Sequence, residues 1–194
     1  MAAKIIQLGL FGTPGAGKST TSKIIEEYCT ENHVPMIRIK LADPLYEAQK
    51  AIYEIAGRQL SDFYDQDGEL LNFLGSYLRK LNPNVLLDRF SLRLRDAIEK
   101  LDSTGSTSGV IVCDDLRRPD AEFLRTKDFR FVRIIADPNE CESRRRARGD
   151  RTLGSASHAT EQGLDEIEPD YRIHNESTIE DLRTQVIRFM GDTL

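Results

Sequence analysis

The chain has 194 residues, of which 39% are hydrophobic and 30% charged, and its formal net charge is −5 at pH 7. This length holds one domain with a substantial core and is short for two, so we expect a single domain over residues 1–194. The acidic balance gives no overall field that attracts nucleic acid or an anionic membrane, and no apolar run approaches the ~20 residues that cross a bilayer.

The cysteines and the first residues suggest a cellular location. The three cysteines are scattered, and none pairs with another at metal-ligand spacing, so we expect reduced thiols. The first predicted strand follows MAAK directly, so we expect no signal peptide and a cytoplasmic protein.

The first predicted strand leads into a glycine-rich loop. KIIQLGLF is a short apolar run ended by glycine, typical of a strand buried on both faces. KSTTSKIIEEYCTE then places its apolar residues at helical spacing. Between them, Gly12, Gly17, Lys18 and Ser19 satisfy GxxxxGK(S/T) in the strand–loop–helix context that this phosphate-binding motif requires.

Each residue type in this loop suits a phosphate group. Glycines allow backbone N–H groups to surround a phosphate, and the helix that follows directs its positive end to the same place. We expect Lys18 to contact the β- and γ-phosphates in catalysis and Ser19 to ligate Mg²⁺, with ATP and Mg²⁺ as cofactors. The predicted ATP-binding residues of the loop are Gly12, Pro14, Gly15, Ala16, Gly17, Lys18, Ser19 and Thr20.

Three helical patterns follow a second strand, which is predicted over residues 35–42. In the first helix Asp43 is the predicted N-cap and Gly57 the stop. The predicted buried stripe of this helix is Leu45, Ala48, Ile52 and Ile55. The other two helices are separated by NPN at residues 82–84. Their predicted stripes are Leu71, Leu74, Leu78 and Leu81, and then Leu87, Phe90, Leu94, Ile98 and Leu101.

Three more strands and a closing helix complete the pattern. VIVC ends in Asp114 and Asp115, further strands are predicted over residues 129–137 and 171–175, and STIE predicts a capping box of Ser177 and Glu180. Strands that alternate with helices predict an α/β fold, with about five parallel strands covered on both faces.

The loop predicts nucleotide binding but not what happens to the nucleotide. Guanine-specific switches carry N-K-x-D after a late strand, which this chain lacks, and a motor needs a longer chain. A small-molecule kinase needs cations for a second anionic substrate and a lid that excludes water.

An arginine cluster after the fourth strand predicts such a lid. ECESRRRARGDR includes Arg144, Arg145, Arg146, Arg148 and Arg151 on a predicted short helix, and Arg144 and Arg148 share one face. We expect Arg144 and Arg148 to bind ATP phosphates and to act in catalysis. The alternatives are a solvated charge run or a nucleic-acid patch, and the second fits poorly with an acidic chain.

Other arginines are candidates for the second substrate. They are Arg79 near the end of one helix, Arg89 and Arg93 on the next, and Arg117 after the third strand. Arg117 is the strongest candidate, because doubly wound folds bind ligands at the carboxyl ends of their strands.

The adjacent acids Asp114 and Asp115 lie at the same predicted edge. Either residue could hold Mg²⁺ or accept a proton from the attacking oxygen. The sequence leaves open which of the two serves the metal, and a helix cap or turn aspartate is the alternative for both.

Four further segments occur in the order found in a known family. KLADPLYEAQKAIYEIAG, DDLRRPDAEFL, SHATEQGL and YRIHNESTIEDL, together with the glycine-rich loop, cover most of the chain. They resemble the motifs of the deoxynucleoside monophosphate kinases of phages and related bacterial proteins, and animal phosphomevalonate kinase is similar in the same segments. The resemblance implies a P-loop kinase fold with a helical substrate-binding region over residues 57–101 and a lid region over residues 140–165.

The resemblance also implies an activity, namely transfer of the γ-phosphoryl group of ATP to a (deoxy)nucleoside 5′-monophosphate. We expect a monomer or homodimer and, from the composition, no nucleic-acid or membrane partners. The positions that match family motifs are Lys18, Ser19, Asp43, Asp115, Arg117, His158, Glu161 and Asn175. Of these, Asp43 and Glu161 are assigned to the substrate site.

The chain departs from the family pattern at two positions. Glu122 is displaced, because the chain has PDAE where the family has a PNE-like run, and Thr160 replaces the serine before Glu161. The region over residues 57–101 matches loosely. A kinase of another small phosphorylated metabolite, phosphomevalonate-like or pathway-specific, is therefore the alternative, followed by a nucleotide-hydrolysing switch.

Overall fold

The computed structural model describes residues 3–147 and 163–194. Its strands are β1 (Lys4–Phe11), β2 (Met36–Ile39), β3 (Ser108–Cys113), β4 (Arg130–Ile135) and β5 (Tyr171–His174). Its helices are α1 (Lys18–Glu31), α2 (Asp43–Ile55), α3 (Gly68–Leu81), α4 (Val85–Ser103), α5 (Ala121–Arg125), α6 (Pro138–Ala147) and α7 (Ile179–Thr193). Short 3₁₀ turns cover Arg118–Asp120 and Leu164–Glu166.

The five strands form one parallel sheet in the order β2-β3-β1-β4-β5. The central strand β1 pairs with β3 from Lys4↔Ser108 to Gly9↔Cys113, and with β4 from Leu8↔Arg130 to Phe11↔Arg133. This arrangement confirms the predicted α/β fold with a five-stranded parallel sheet. The carboxyl ends of all five strands meet at one edge, which is where such sheets bind ligands.

Helices cover both faces of the sheet, as the buried strands require. The core on one face includes Ile24 and Ile25 of α1, Val186 and Met190 of α7, and Leu8 and Leu10 of β1. The core on the other face includes Phe90, Leu94 and Leu101 of α4, Leu124 of α5, and Phe11 and Phe131 of the sheet. A smaller cluster joins α2, α3 and the start of α4 through Leu45, Leu74 and Leu86.

Two element boundaries near the site differ from the sequence predictions. Strand β2 ends at Ile39 rather than at residue 42, because the backbone N–H groups of Leu41 and Ala42 bind the carboxylate of Asp115 instead of a neighbouring strand. The N-cap of α2 is Ala42, and Asp43 is the first residue of the helix.

The helices also differ from their predicted stripes. Leu86 and Ala97 of α4 are buried in addition to the predicted residues, and the predicted Leu87 and Ile98 are half-buried and pack against the core. Ile55 and Leu81 are exposed at helix ends. The capping box of α7 consists of Thr178 and Asp181 rather than of Ser177 and Glu180. None of the helices within residues 3–147 and 163–194 has the length and hydropathy needed to cross a bilayer.

Candidate active site

A cavity of about 560 Å³ opens at the carboxyl edge of the sheet. Residues from the β1–α1 connection line it, together with residues that follow β2, β3 and β5 and residues from α3 and α6. The members from the first connection are Pro14, Gly15, Gly17, Lys18, Ser19 and Thr20. The cavity therefore contains most of the residues predicted to bind ATP.

The glycine loop (residues 12–17) is held tightly by its neighbours. Gly15 has φ +89°, and a Cβ atom there would lie 2.3 Å from the backbone oxygen of Cys141 in α6. Gly17 has φ +105°, and a Cβ atom there would lie 2.3 Å from the side-chain nitrogen of Asn175. L-residues rarely adopt such φ values, so both the conformation and the close approach require glycine.

Lys18 begins α1, and its side chain folds back over the glycine loop. Its Nζ donates to the backbone oxygens of Gly12 at 2.8 Å and Thr13 at 3.1 Å. The N-terminus of α1 adds partial positive charge next to this ammonium group. Backbone and side chain together make the loop a place for an anion, as the motif predicts.

A buried ion pair lies beside the glycine loop in the same cavity. Lys40 directly follows β2 and Asp114 directly follows β3, and Lys40 Nζ lies 2.8 Å from Asp114 Oδ1. The side chain of Lys40 is 13% exposed and that of Asp114 is fully buried. Burial lowers the pKa of Lys40, but the carboxylates of Asp114 and Asp115 outweigh it, so the pKa is raised above its usual value.

Sequence reasoning missed Lys40. A signal was present, since a lysine that ends the apolar run IRIK must lie at the same sheet edge as Asp114. The partnership itself depends on the adjacency of β2 and β3, which the chain order does not specify.

Asp115 and Asp114 differ in what their oxygens contact. Asp115 accepts hydrogen bonds from the backbone N–H groups of Leu41 at 3.0 Å and Ala42 at 2.8 Å, one on each oxygen. This carboxylate therefore holds the β2–α2 connection in place. Asp114 Oδ2 is buried and has no hydrogen-bond partner among the described residues.

The different contacts of Asp114 and Asp115 bear on which of the two carboxylates could bind Mg²⁺. Asp114 and the hydroxyl of Ser19 line one cavity, and both offer the oxygen ligands that Mg²⁺ prefers. Within the described parts of the chain, no group of three or more His, Cys, Asp or Glu residues is arranged to hold a metal. A magnesium ion here would need phosphate oxygens to complete its coordination. Asp114 suits this role better than Asp115, whose predicted parts in metal binding and proton transfer stay predictions.

Two of the four arginines predicted for the second substrate line the cavity. They are Arg117, which follows β3, and Arg79 of α3. Arg79 lies 3.5 Å from Asp120 Oδ1. Burial raises the pKa of Asp120 despite the opposing effect of Arg79. Arg117 and Arg79 therefore remain candidates for the acceptor.

Arg93 and Arg89 lie elsewhere on α4 and do not line the cavity. Arg93 contacts the carboxylates of Asp43, at 3.5 Å, and Glu47, while Arg89 is exposed. Asp43 also accepts a hydrogen bond from Tyr64 at 3.1 Å, and burial raises the pKa of its carboxyl group. These contacts give Asp43 and Arg93 a role in joining α2 to α4.

The region predicted to form a lid, residues 140–165, is described in part. Arg144 and Arg145 of α6 line the cavity, and the two terminal guanidinium nitrogens of Arg144 donate to the backbone oxygen of Asn175, at 3.4 and 3.3 Å. Arg146 instead pairs with Glu142. Arg148, Arg151, His158, Thr160 and Glu161 lie outside the described residues, so their predicted roles stay predictions.

The charge of the cavity is opposite to that of the chain. Its described basic residues are Lys18, Lys40, Arg79, Arg117, Arg144 and Arg145, and its described acidic residues are Asp114, Asp115 and Asp120. Six cations against three carboxylates leave a local excess of positive charge in a protein of net charge −5. Such a site concentrates anions carrying several charges.

Comparison with solved structures supports the fold. The chain is similar to TT1252 from Thermus thermophilus, with a TM-score of 0.53 and 16% identity over 98% of this chain and 99% of the other. It is also similar to the Mycobacterium tuberculosis APS kinase CysC, solved with AMPPNP and APS, with a TM-score of 0.54 and 17% identity over 97% of this chain and 99% of the other. The five-stranded parallel sheet and the similarity to a solved kinase show that the chain has the P-loop kinase fold. No protein-family model matches the chain, and no curated protein matches it significantly.

Proposed function

We propose that this protein is a kinase that transfers the γ-phosphoryl group of ATP to a nucleoside 5′-monophosphate. One observation carries the proposal. The glycine loop with Lys18 and Ser19 lines the same cavity as Arg79 and Arg117. A single cavity thus offers cations for the phosphates of a donor and of an acceptor, which phosphoryl transfer between two small molecules requires.

The chemistry assigns a task to each group. A phosphate oxygen of the acceptor bonds to the γ-phosphorus while the bond to the β–γ bridging oxygen breaks and ADP leaves. Negative charge spreads over the transferring group, and we assign its stabilisation to Lys18 and Arg144. We assign Arg117, which lies in the connection that follows β3, to orienting the acceptor phosphate. Asp114 and Ser19 would hold Mg²⁺, which supplies charge neutralisation to the phosphates when bound.

The remaining lining favours an acceptor with a planar base. Apolar side chains contribute one part of the wall: Leu45, Leu71 and Leu86. Groups that can hydrogen-bond contribute another: Gln66, Asn72 and Tyr46. A tyrosine hydroxyl is protonated at neutral pH and can donate, and burial raises the pKa of Tyr46 further. A nucleobase presents apolar faces and a polar edge and suits this mixture better than an acyclic phosphorylated metabolite.

A coupled ADP-release assay tests the proposal. The common ribo- and deoxyribonucleoside monophosphates are screened as acceptors, with phosphomevalonate and dephospho-coenzyme A alongside. Lys18→Ala provides the background, because it removes a charge that stabilises the transferring group. We expect at least one nucleoside monophosphate to support release about 100-fold faster in the wild type than in this variant.

Three results would contradict parts of the proposal. Release with phosphomevalonate alone would replace the nucleotide acceptor with the alternative metabolite class. Fast ATP hydrolysis that ignores every acceptor would indicate a nucleotide-hydrolysing switch. Wild-type turnover in Lys18→Ala would remove the glycine loop from the reaction.

A further inference from the structure

We propose that Asn175 is a positioning residue that fixes the glycine loop and Arg144 relative to each other. The inference rests on the proposed function, since it takes both of these groups to bind ATP. Asn175 directly follows β5 and is 8% exposed. It touches the two groups through different atoms, the side chain on one side and the backbone carbonyl on the other.

The main chain of Asn175 is itself held firmly. Its backbone N–H donates to the backbone oxygen of Ile135 at 2.7 Å, which continues the pairing of β4 with β5 by one residue. Asn175 therefore starts from a fixed point at the sheet edge. Its side chain has little freedom to follow a moving loop.

The side chain of Asn175 binds the glycine loop. Its Nδ2 donates to the backbone oxygen of Ala16 at 2.8 Å, in a buried bond between residues 159 apart in sequence. A carbonyl oxygen only accepts hydrogen bonds, so the amide must present its nitrogen here. Nδ2 also lies so close to Gly17 that a Cβ atom there would be 2.3 Å away, so the loop is tightly packed against Asn175 at this point.

This bond determines the direction of a backbone donor. The described residues contain no cis peptide bonds, and in a trans peptide the C=O and N–H groups point in opposite directions. Holding the carbonyl of Ala16 on Asn175 therefore turns the N–H of Gly17 away from Asn175. We assign that N–H to the phosphate of ATP, since backbone N–H groups of such loops form the anion site.

The backbone carbonyl of Asn175 binds the lid side. It accepts from both terminal nitrogens of Arg144, at 3.4 and 3.3 Å. One residue thus orients an N–H group of the glycine loop and a guanidinium group of α6. A change in the Asn175 side chain should misplace the N–H group of the glycine loop, while the fixed main chain keeps its contact with Arg144.

Nucleotide binding by a set of matched variants tests this role. Asn175→Ala removes the donor, and Asn175→Asp keeps the shape but places a carboxylate oxygen against the carbonyl of Ala16. Gln185→Ala is the control. Gln185 is also an amide, it bonds the backbone N–H and carbonyl of His174 at 3.0 and 2.7 Å, and it does not line the cavity.

The readouts are the melting temperature without ligand and the Kd of ATP by isothermal titration calorimetry. We expect both Asn175 variants to bind ATP about tenfold or more weakly, as losing one oriented donor to a charged group implies. Gln185→Ala should change the Kd of ATP less than about threefold, although we expect its melting temperature to fall about as far as that of the Asn175 variants. If Asn175→Ala proves unfolded, Asn175→Asp supplies the comparison.

Each outcome decides between the two proposals. Wild-type ATP affinity in a folded Asn175 variant would overturn the positioning role while leaving the proposed function intact. Equal losses in Gln185→Ala and Asn175→Ala would also overturn it, since they would reflect general loosening. Failure of the wild type itself to bind ATP would overturn the proposed function and this inference with it.

Discussion

Replacing Lys40 by methionine should destabilise the protein far more than removing an exposed charge. Methionine has a similar length and no charge, so Asp114 would stay fully buried without its ion-pair partner. Lys40 Nζ also lies 4.8 Å from the ring centre of Tyr64, a cation–π contact that would be lost. Removing one partner of a buried pair costs about 3–5 kcal/mol. For a domain of this size that corresponds to a fall in Tm of about 6–20 °C.

Urea unfolding followed by circular dichroism measures this free energy. The control is Arg95→Met, because Arg95 lies 3.9 Å from Glu99 with side chains 64% and 71% exposed, and such pairs contribute under about 0.5 kcal/mol. Adding Asp114→Asn to Lys40→Met should recover at least half of the loss, since the isolated buried charge is gone. A loss below about 1 kcal/mol in Lys40→Met, or further loss in the double variant, would refute the electrostatic reasoning.

Two further predictions use matched pairs of variants. Gly15→Ala should abolish measurable ATP binding in calorimetry or prevent folding, because the new Cβ would overlap the backbone of Cys141. Gly57 has a φ of +66° with open space around it, so Gly57→Ala should cost only about 1–2 kcal/mol of stability, and equal effects of the two variants would contradict this reasoning. Arg117→Ala should raise the acceptor KM or lower kcat by about 10- to 150-fold and leave ATP binding unchanged, while Arg89→Ala changes neither. A comparable loss of ATP affinity in Arg117→Ala would place Arg117 in the donor site.

Local features of the site could be predicted from the sequence. The glycine loop is recognisable because its strand, loop and helix are adjacent in the chain and each residue type has one physical reason. The carboxyl-edge positions of Asp114 and Arg117 follow from the alternation of strands and helices alone. Both lie in the cavity, as a parallel sheet requires.

Features that depend on partners distant in sequence could not be predicted. The helical periodicity of α4 is compatible with Arg93 binding either a substrate or the carboxylates of Asp43 and Glu47. Only the packing of α2 against α4 shows that it contacts the carboxylates. The same holds for Lys40 with Asp114 and for Asn175 with Ala16. The predicted capping box was wrong for a local reason. STIE and TIED fit the same rule one residue apart, and in the structure Thr178 and Asp181 form the box.

The position of β1 at the centre of the sheet has a consequence for synthesis on the ribosome. Both strands that pair with β1 begin much later in the chain, at Ser108 and Arg130. At roughly 5–20 residues per second, β1 emerges about 5–20 seconds before β3 is complete. During this interval its apolar side chains and unpaired backbone edges are open to chaperones or to other nascent chains. Under the proposed role of Asn175, the glycine loop also lacks its full affinity for ATP until residue 175 has been made.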